Sequence, residues 1–403
     1  MTAVFPLICT SFRFFGWTGC NQMAARILVV DHRTPTPDQD SGSASTFSYL
    51  QILSEAGFDV TFLPSMLKDA GSYSEAIRAL GIIVPTSETY PSLDAAIDLL
   101  APRADLVILF RAPVAHLVFE RVRKVAPKAK ILFHAVDLHH VRMRRQAELA
   151  GNVDMGRAAE AMRTIELDLA TRADATVVVS AFEHDLLRGL VADAPIHHIP
   201  ILRSVPVDDR NWLTRLSAFF RCPYLLRQRR DIVFVGGFEH APNGDGIRWF
   251  VSHVWPKVVQ SGIGSRLVIA GSNLPSDIAA LASHTIATPG YVGDLGVLFA
   301  TARMSIAPLR YGAGVKGKIV SSLSHHVPVV ATRIAAEGTG LVDGVNVLIG
   351  DDPQEKADAI IRLYRDDELW FRLSKAGYRT FLDVYSHDSG RSKIMKVINE
   401  LLQ

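Results

Sequence analysis

The chain has 403 residues, of which 48% are hydrophobic and 21% charged, with 43 basic and 41 acidic side chains and a net charge of +2. This composition suits a globular protein with a sizeable core, and the length favours two domains. The balance of charge excludes the broad positive field of a nucleic-acid-binding protein. Cys9, Cys20 and Cys222 form neither a zinc motif nor a disulfide framework, which favours a reducing, cytoplasmic location.

The first 22 residues are apolar, but they lack a basic start and Arg13 interrupts them. They make a poor signal peptide, and no apolar run in the sequence reaches the roughly 18 residues that a membrane-spanning helix needs. A clean strand pattern begins only after Met23. We therefore predict an N-terminal extension over residues 1–25. It either lies upstream of a biological start at Met23 or forms a short arm that touches a membrane.

Short apolar runs alternate with longer helical patterns in two parts of the chain, residues 26–205 and 231–385. The runs in the first part are Ile27–Val30, Val60–Leu63, Ile82–Val84, Leu106–Phe110, Ile131–His134 and Thr176–Val179. Those in the second are Ile232–Gly236, Leu267–Ala270, Met304–Ala307, Val329–Ala331 and Val347–Ile349. Apolar strands separated by helices indicate parallel sheets covered on both faces. The sequence therefore predicts an α/β protein with two doubly wound domains that face a cleft.

Residues 206–230 break this alternation, and we predict a linker there. The stretch from Arg203 to Arg230 carries seven arginines together with Trp212, Phe219, Phe220 and Tyr224. One interpretation is a linker whose aromatic side chains pack on one domain. The other is a basic, aromatic patch that lies on an anionic membrane surface.

The segment Met304–Thr332 carries the strongest functional signal, because it reads as a strand, a glycine loop, a helix and a second strand. The loop holds three glycines and two lysines: Gly312, Gly314, Gly317, Lys316 and Lys318. Glycines let the backbone approach a ligand closely, and the next helix turns its free amide groups toward the loop. The pattern predicts a site for a phosphate or diphosphate. The alternative is an ordinary strand-to-helix turn with solvated lysines.

Other polar groups and glycines follow strands of the second part. Gly236 and Gly237 would allow a ligand to approach, His240 and Asn243 would donate hydrogen bonds, and Gly271 ends the next strand. Glu337 follows Val329–Ala331 and would accept hydrogen bonds from sugar hydroxyls. The alternatives are a loop histidine at His240 and, at Glu337, a carboxylate favoured by a helix dipole.

The first part offers two polar segments. The loop Pro35–Ser43 is not a GxGxxG motif, which argues against a dehydrogenase-type dinucleotide site. It forms a polar loop before a helix, and its candidate site residues are Asp40, Ser41 and Gly42. The second segment supplies Asp137, His139 and Arg142. A histidine beside an aspartate can take a proton from a hydroxyl nucleophile; equally, Asp137 would cap a helix and His139 would be structural.

Several segments together resemble a known family. FVGGFEHAPNGDGIRWF, LVIAGSNLP, GYVGDL, APLRYGAGVKGKI, PVVATRIAAEG and DGVNVLIG are similar to the Glycosyl transferases group 1 domain of retaining GT-B glycosyltransferases, the family 4-like kind. They cover most of residues 231–350. RILVVDHRTPTPDQDSGS and VDLHHVRMRRQAEL resemble the acceptor domain of bacterial polysaccharide members. The end of the chain resembles the helices that cross back to the first domain, which we assign to residues 386–403.

The resemblance implies a GT-B fold with two Rossmann-like domains and the transfer of a sugar, with retention, from a nucleotide-diphosphate sugar to an acceptor hydroxyl. The diphosphate would meet Arg310, Gly314, Lys316 and Lys318, without an obligatory metal or other cofactor. Asp137 and His139 match a polar motif of the first domain and would be catalytic or acceptor-side. The further acceptor-side residues would be Asp40, Ser41, Gly42 and Arg142. The acceptor would be a glycan or a lipid-linked glycan, with a peripheral location on the inner face of the membrane.

Two departures from the family pattern support alternative functions. Ala313 and Ser321 stand where many members carry two glutamates eight positions apart. This difference motivates a non-catalytic GT-B protein that binds a sugar or acts as a scaffold. A nucleotide-sugar epimerase on the same fold is the third hypothesis.

Overall fold

The computed structural model describes residues 24–205, 226 and 228–403 of the chain. Two six-stranded parallel sheets, each covered by helices, form two domains. This confirms the predicted α/β class with two doubly wound domains facing a cleft. Residues 1–23 of the predicted N-terminal extension and residues 206–225 of the predicted linker lie outside the described part. The interpretations of the apolar N-terminus and of the basic, aromatic segment therefore stay predictions.

The strands follow the apolar runs of the sequence. The first sheet contains β1 (Arg26–Asp31), β2 (Asp59–Pro64), β3 (Leu106–Phe110), β4 (Lys130–His134), β5 (Ala175–Val178) and β6 (Ile196–His198). The second contains β7 (Asp231–Val235), β8 (Leu267–Ala270), β9 (Ile286–Gly290), β10 (Ala302–Ala307), β11 (Val329–Ala331) and β12 (Leu348–Ile349). Every pair of neighbouring strands is parallel, for example Ile27 with Val60 and Ile306 with Val330.

Helices connect the strands and pack on both faces of each sheet. In the first domain they are Ser41–Glu55, Ser72–Arg78, Leu93–Leu100, Ala112–Val125, His139–Ala150, Val153–Arg172 and Ala181–Leu190, with a 3-10 turn at Ala101–Arg103. In the second they are Ala241–His253, Trp255–Gln260, Ser276–Ala279, Leu295–Thr301, Gly317–Ser324, Arg333–Ala336, Pro353–Arg365 and Asp367–Thr380. A π-helical turn, Phe381–Tyr385, leads to the last helix, His387–Leu402.

The strand order places a switch point in each sheet. The first sheet runs β2-β1-β3-β4-β5-β6, and the second runs β12-β11-β10-β7-β8-β9. The second order is that of doubly wound nucleotide-binding sheets, in which a ligand binds beyond the carboxyl ends of the two strands where the order reverses. Those strands are β1 and β3 in the first domain and β7 and β10 in the second. The loops that follow these four strands are therefore the expected walls of a site.

The strands differ from the prediction at two places, and at each place the exposure of the side chains explains the difference. The run Ile82–Val84 is not a strand: Ile83 forms a single parallel bridge with Thr61 at the outer edge of the sheet, and its side chain is 60% exposed. Ile196–His198 is a strand that the sequence did not indicate. It pairs with Thr176–Val178 but contains two histidines and no fully buried side chain, so no apolar run marks it.

The last helix, His387–Leu402, packs on the first domain although the preceding helices belong to the second. Its buried side chains Ile394, Val397 and Ile398 join the apolar cluster on one face of the first sheet. Arg391 donates to Glu55 at 2.6 Å. The polypeptide thus crosses between the domains twice, once near residue 203 and once near residue 386, and this double crossing forms the hinge region.

No helix in the described ranges combines the length and the apolar character that a membrane-crossing helix requires.

Lys356 is a buried cation without a partner. It lies in the helix Pro353–Arg365 with 0% of its surface exposed, and its Nζ has no hydrogen-bond partner among the described residues. Burial lowers its pKa from 10.5 to about 7, against the opposing effect of Asp351 and Glu355. A buried, unpaired polar group costs stability unless it is neutral and solvated.

We expect Lys356→Met to raise the free energy of unfolding at pH 7 by about 1–3 kcal/mol, because it removes the unpaired group and keeps a similar volume. Since the unfolded lysine binds more protons between pH 7 and 10.5, wild-type stability should rise with pH across this window. The variant should lack that rise. Urea unfolding at pH 7 and pH 9 measures both effects. Lys257→Met, which removes an exposed lysine, is the control. If stability rose with pH in Lys356→Met as it does in the wild type, Lys356 would not be the source of the pH dependence.

Candidate functional site

A cavity of about 760 Å³ lies between the carboxyl ends of the two sheets. Its walls come from both domains, and they include the loops after β1, β3, β7 and β10. Every site residue predicted from the sequence lines it except Arg310 and Glu337. Those brought together are Asp40, Ser41, Gly42, Asp137, His139, Arg142, Gly236, Gly237, His240, Asn243, Gly271, Gly314, Lys316 and Lys318. The cavity therefore lies at the switch points of both sheets.

The glycine loop after β10 ends at the helix Gly317–Ser324. Gly314 has a φ of 65°, in the left-handed region that favours glycine. A Cβ on Gly314 would also lie 3.1 Å from Cβ of Asp137, so the loop passes close to the first domain. The first amide groups of the helix have no acceptor within the helix and carry the positive end of its dipole. The loop and the helix together form an anion-binding geometry.

Lys316 and Lys318 contact neutral oxygens instead of carboxylates. Lys316 Nζ donates to the carbonyl oxygens of Ala313 at 2.8 Å and Gly314 at 2.5 Å. Lys318 Nζ donates to Oδ1 of Asn243 at 2.5 Å. Burial, together with the smaller effect of the charge of Lys316, lowers the pKa of Lys318 to about 7. Burial also lowers the pKa of Lys316 to about 8, although Glu183 and Asp137 oppose it. Two ammonium groups thus share a site without a counter-ion in contact.

Gly236 and Gly271 are explained by contacts within the protein. A Cβ on Gly236 would lie 2.8 Å from Nδ2 of Asn243, and one on Gly271 would lie 1.8 Å from the carbonyl oxygen of Gly236. Gly237 faces the other domain, since its Cβ would lie 3.0 Å from the carbonyl oxygen of Gln39. The close packing of β7, β8 and the first domain thus restricts side chains at these positions, and the predicted approach of a ligand to the three glycines stays a prediction.

Asn243 and His240 stand at the start of the helix Ala241–His253. Nδ2 of Asn243 donates to the carbonyl oxygen of Gly237 at 2.7 Å while its Oδ1 accepts from Lys318, so Asn243 orients that lysine. His240 lines the cavity, and burial lowers its pKa to about 4 despite the nearby carboxylate of Asp137. The imidazole of His240 is therefore neutral near pH 7.

Asp137 and His139 lie together on the first-domain wall. Nε of Arg142 donates to Oδ2 of Asp137 at 2.8 Å. Burial alone would raise the pKa of Asp137, but His139 and Arg142 outweigh it and hold that pKa below its usual range. Burial would likewise lower the pKa of His139, while Asp137 and Glu166 raise it above its ordinary value. The pair is thus a carboxylate beside an imidazole that titrates above 6.5.

The geometry around His139 fixes the orientation of its ring. Its Nδ1 faces only acceptors: the carbonyl oxygen of Asp137 at 3.1 Å, Oδ1 of Asp137 at 3.4 Å and Oε1 of Glu166 at 3.6 Å. Nδ1 therefore carries the proton in the neutral ring, which leaves the Nε2 lone pair without a hydrogen-bond partner among the described residues. His139 presents a basic nitrogen on the wall of the cavity.

Two buried glutamates that the sequence analysis missed position this helix. Oε1 of Glu166 accepts from the amide of His139 at 2.7 Å, and its Oε2 accepts from the amide of His140 at 3.1 Å. Oε1 of Glu183 accepts from the amide of Leu138 at 2.8 Å. Both carboxylates thus cap the amino end of His139–Ala150. They come from two other helices, so no local motif in the sequence indicates that they cap this one.

Asp40, Ser41 and Gly42 begin the helix Ser41–Glu55. Asp40 caps it by accepting from the amide of Ser43 at 2.8 Å. The guanidinium of Arg111, which the sequence analysis also missed, lies against Gly42, where a Cβ would be 2.7 Å from Nη2. Nε of Arg111 donates to the buried carboxylate of Asp31 at 2.8 Å. On the first-domain wall, the amino end of Ser41–Glu55 therefore lies beside the guanidinium of Arg111, which Asp31 holds in place.

Three residues on the cavity wall have a backbone conformation that costs energy. Arg111, Val136 and Asn273 have φ values of 67°, 65° and 54°, although none of them is a glycine. Arg111 directly follows β3, and the other two follow β4 and β8 within three residues. Strain of this kind persists where the surrounding structure enforces it, often at functional sites.

Arg310 and Glu337 are the two predicted residues that the structure does not bring to the cavity wall. Both oxygens of the Asp245 carboxylate accept from Arg310, with Nε at 2.8 Å from Oδ2. Glu337 accepts from both Nη atoms of Arg145, at 2.8 and 2.9 Å. Each charge is therefore engaged by a partner distant in sequence, which the local pattern did not indicate, and the predicted contact of each residue with the donor stays a prediction.

Arg145 connects the domains at the glycine loop. Besides its contact with Glu337, its Nη1 donates to the carbonyl oxygen of Gly312 at 2.7 Å. Its guanidinium also lies 5.1 Å from the centroid of the Phe182 ring. An arginine of the helix His139–Ala150 thus holds the loop that carries the two lysines.

Among the described residues, no group of three or more histidine, cysteine, aspartate or glutamate side chains is arranged to hold a metal ion.

Comparisons with known proteins agree with this arrangement. Residues 229–366 match the family described as Glycosyl transferases group 1. An uncharacterized 44.6 kDa protein in the cps region of Klebsiella pneumoniae is 28% identical over 131 residues, which are 30% of this chain and 34% of that protein. The match thus spans about a third of the length of that relative.

Solved structures share the two-domain fold over nearly the whole chain. A sucrose-phosphate synthase from Thermosynechococcus elongatus superposes with a TM-score of 0.72 at 16% identity, covering 94% of this chain and 99% of the other. HepE from Anabaena, solved with UDP-glucose, has a TM-score of 0.66 at 14% identity and covers 93% and 99%. TarM from S. aureus, solved with Fondaparinux, alpha-GlcNAc-glycerol and UDP, has a TM-score of 0.69 at 10% identity and covers 94% and 100%. The chain therefore has the GT-B fold, and its second domain matches Glycosyl transferases group 1.

We expect Arg145→Met to loosen the contact between the domains, because it removes a two-pronged ion pair and the bond to Gly312. Loss of one partner from a half-buried pair should lower the free energy of unfolding by about 1–3 kcal/mol. Small-angle X-ray scattering should show a larger radius of gyration. Arg144→Met, which removes an exposed arginine from the same helix, is the control. Equal radii for the two variants would count against the assigned role.

Proposed function

We propose that the protein is a glycosyltransferase that moves a sugar from a nucleotide-diphosphate sugar to an acceptor hydroxyl. The observation that carries the proposal is the pair Lys316 and Lys318 at the amino end of Gly317–Ser324, beside the switch point of the second sheet. A diphosphate would supply the negative charge that these two buried cations lack. The match to Glycosyl transferases group 1 lies on the same domain. HepE and TarM, solved with UDP-glucose and with UDP, support a nucleotide diphosphate as the bound part of the donor.

The proposed reaction breaks the bond between the anomeric carbon and a diphosphate oxygen. The electron pair leaves with the nucleoside diphosphate, and the acceptor oxygen forms the new bond to the anomeric carbon and loses its proton. Charge grows on the leaving diphosphate, so the lysines and the helix dipole stabilise the transition state more than the ground state. We propose that these fixed charges perform the task without an obligatory metal.

His139 is the proposed acceptor of the hydroxyl proton. Its Nδ1 is held by Asp137 and Glu166, so the Nε2 lone pair of this cavity-lining residue is free to accept the proton. Asp137 then stabilises the protonated imidazole, and Arg142 keeps Asp137 in place. The acceptor would approach along the first-domain wall, past Asp40, Ser41 and Gly42. Retention of the anomeric configuration belongs to this proposal, and NMR of the product would decide it.

A role in polysaccharide or glycolipid synthesis is the proposed context. The similarity to a protein in a cps region supports it. The acceptor would be a glycan or a lipid-linked glycan, and the protein would work on the cytoplasmic side with a peripheral contact to the membrane.

One observation favours a second function, namely that of a non-catalytic protein that binds a nucleotide sugar. Ala313 and Ser321 line the cavity, so the wall has no carboxylate at either position. Incubation with labelled UDP- and GDP-sugars separates the two functions. Transfer to an acceptor glycan, or slow hydrolysis of the donor, would support the transferase. Tight binding with neither reaction would support the binding protein, and isomerised donor would support an epimerase.

We expect nucleoside diphosphate affinity to fall as pH rises through about 7, because the ammonium of Lys318 loses its proton in that range in the free protein. Lys318→Arg should keep its charge and flatten this dependence. Lys318→Met should weaken UDP or GDP binding about tenfold to a hundredfold, as expected for the loss of one charge-assisted contact. Titration calorimetry from pH 6 to 9 measures all three proteins. A pH-independent affinity in the wild type would contradict the role of Lys318.

His139→Gln should lower kcat about a hundredfold or more while leaving KM for the donor nearly unchanged, because it removes the base but not the diphosphate contacts. Wild-type kcat should rise with pH through the raised pKa of His139, since only the neutral ring accepts a proton. That acidic limb should vanish in the variant. An intact limb in His139→Gln would assign the titration to another group.

A further inference from the structure

Arg203 lines the cavity but belongs to neither the glycine loop nor a helix of the first domain. It lies in the hinge region, where its amide donates to the carbonyl oxygen of Tyr385 at 2.9 Å and its own carbonyl oxygen accepts from the amide of His387 at 3.1 Å. The backbone of Arg203 is thus fixed to the segment through which the chain returns to the first domain. Backbone contacts with the hinge region, and not a helix or a long strand, therefore fix the position of Arg203.

The guanidinium of Arg203 lies between the amino ends of two helices. Its Nη2 donates to Oγ of Ser41 at 3.1 Å, at the start of Ser41–Glu55, and its Nη1 donates to the carbonyl oxygen of Leu202 at 2.9 Å. A Cβ on Gly317 would lie 2.9 Å from the same Nη2 and 2.2 Å from Oγ of Ser41. Arg203 therefore touches the first residue of the helix that carries the proposed diphosphate site.

The charge of Arg203 is not matched by a carboxylate in contact. The other arginines on the cavity wall are paired: Arg33 with Asp40 and Glu239, Arg111 with Asp31, and Arg142 with Asp137. Among the described residues no carboxylate forms an ion pair with Arg203. Burial lowers its pKa to about 10, with Asp40 acting in the opposite direction. Of the lysines and arginines described on the cavity wall, Lys316 and Lys318 alone share this lack of a carboxylate partner.

The three cations without a carboxylate partner all belong to, or contact, the amino end of Gly317–Ser324. Lys318 belongs to its first turn, Lys316 precedes it, and Arg203 reaches it from the hinge. Two of them come from the second domain, while Arg203 comes from the end of the first. A dianionic group at this point would satisfy all three cations and both helix amino ends.

We propose that Arg203 is a further donor-binding residue, which contacts the leaving diphosphate from the hinge and adds a third cation to Lys316 and Lys318. This inference rests on the proposed function and names a residue outside the glycine loop. Because the backbone of Arg203 is tied to both crossings, the contact also couples diphosphate binding to the angle between the domains. The diphosphate then acts as a counter-ion that both domains share.

Titration calorimetry of the full-length chain with UDP, GDP and inorganic pyrophosphate tests the proposal, with inorganic phosphate as the comparison that lacks the second phosphate group. Arg203→Gln should bind the nucleoside diphosphate and pyrophosphate about tenfold to a hundredfold more weakly, as for the loss of a charged hydrogen bond. Arg203→Lys keeps the charge but loses the fork, so its affinity should lie between those of Arg203→Gln and the wild type. Arg391→Gln breaks another arginine contact of the last helix, with Glu55, and should bind like the wild type.

The outcomes separate this proposal from the proposed function. Wild-type affinity in Arg203→Gln, with normal binding and transfer by the native chain, would overturn the role of Arg203 alone. Absence of diphosphate binding in the native chain would overturn both. A purely structural role predicts an equal loss for phosphate and pyrophosphate together with a lower melting temperature. The proposal predicts a selective loss for the diphosphates at an unchanged melting temperature, and Arg203→Lys provides the same comparison if Arg203→Gln does not fold.

Discussion

The amino end of the helix Gly317–Ser324 holds positive charge that nothing in the described protein neutralises by direct contact. Lys316 and Lys318 donate only to neutral oxygens, and the free amides of the helix point the same way. Buried charge without a counter-ion raises the free energy of the folded state. A protein keeps such an arrangement where a ligand provides the missing charge, and this is why perturbed pKa values cluster at functional sites.

The same helix end also determines how the domains meet. The absence of a side chain at Gly317 lets Ser41 come within contact distance, so the amino ends of two helices from different domains abut. Arg145 adds a second connection by holding the carbonyl group of Gly312 and the carboxylate of Glu337. The site and the joint between the domains are therefore built from the same few residues. We therefore expect occupancy of the site to change the free energy of the joint.

The sequence predicted the glycine loop because its glycines, lysines and helix start are adjacent along the chain. The apolar runs predicted most of the strands. They did not predict β6, because its two histidines break the pattern. Contacts between distant segments were beyond such reasoning. Glu166 lies 27 residues from His139, and Glu337 lies 192 residues from Arg145. The two lysines of the loop were therefore predictable from the sequence. The carboxylates that orient His139, and the contact of Arg145 with Glu337, follow only from the packing of the folded chain.

The left-handed conformation of Val136 has a consequence for stability and turnover. A β-branched residue pays for that conformation with free energy, and a glycine at this position would remove the penalty. Val136 directly precedes Asp137, however, so the substitution Val136→Gly would make the backbone more flexible and let the Asp137 carboxylate change its position. The gain in backbone energy would be offset in part by the lost packing of Val136 against the first-domain core and by the greater entropy of glycine in the unfolded chain. Under the proposed function, a chain that carries Val136→Gly should therefore gain little in thermostability and transfer sugar more slowly.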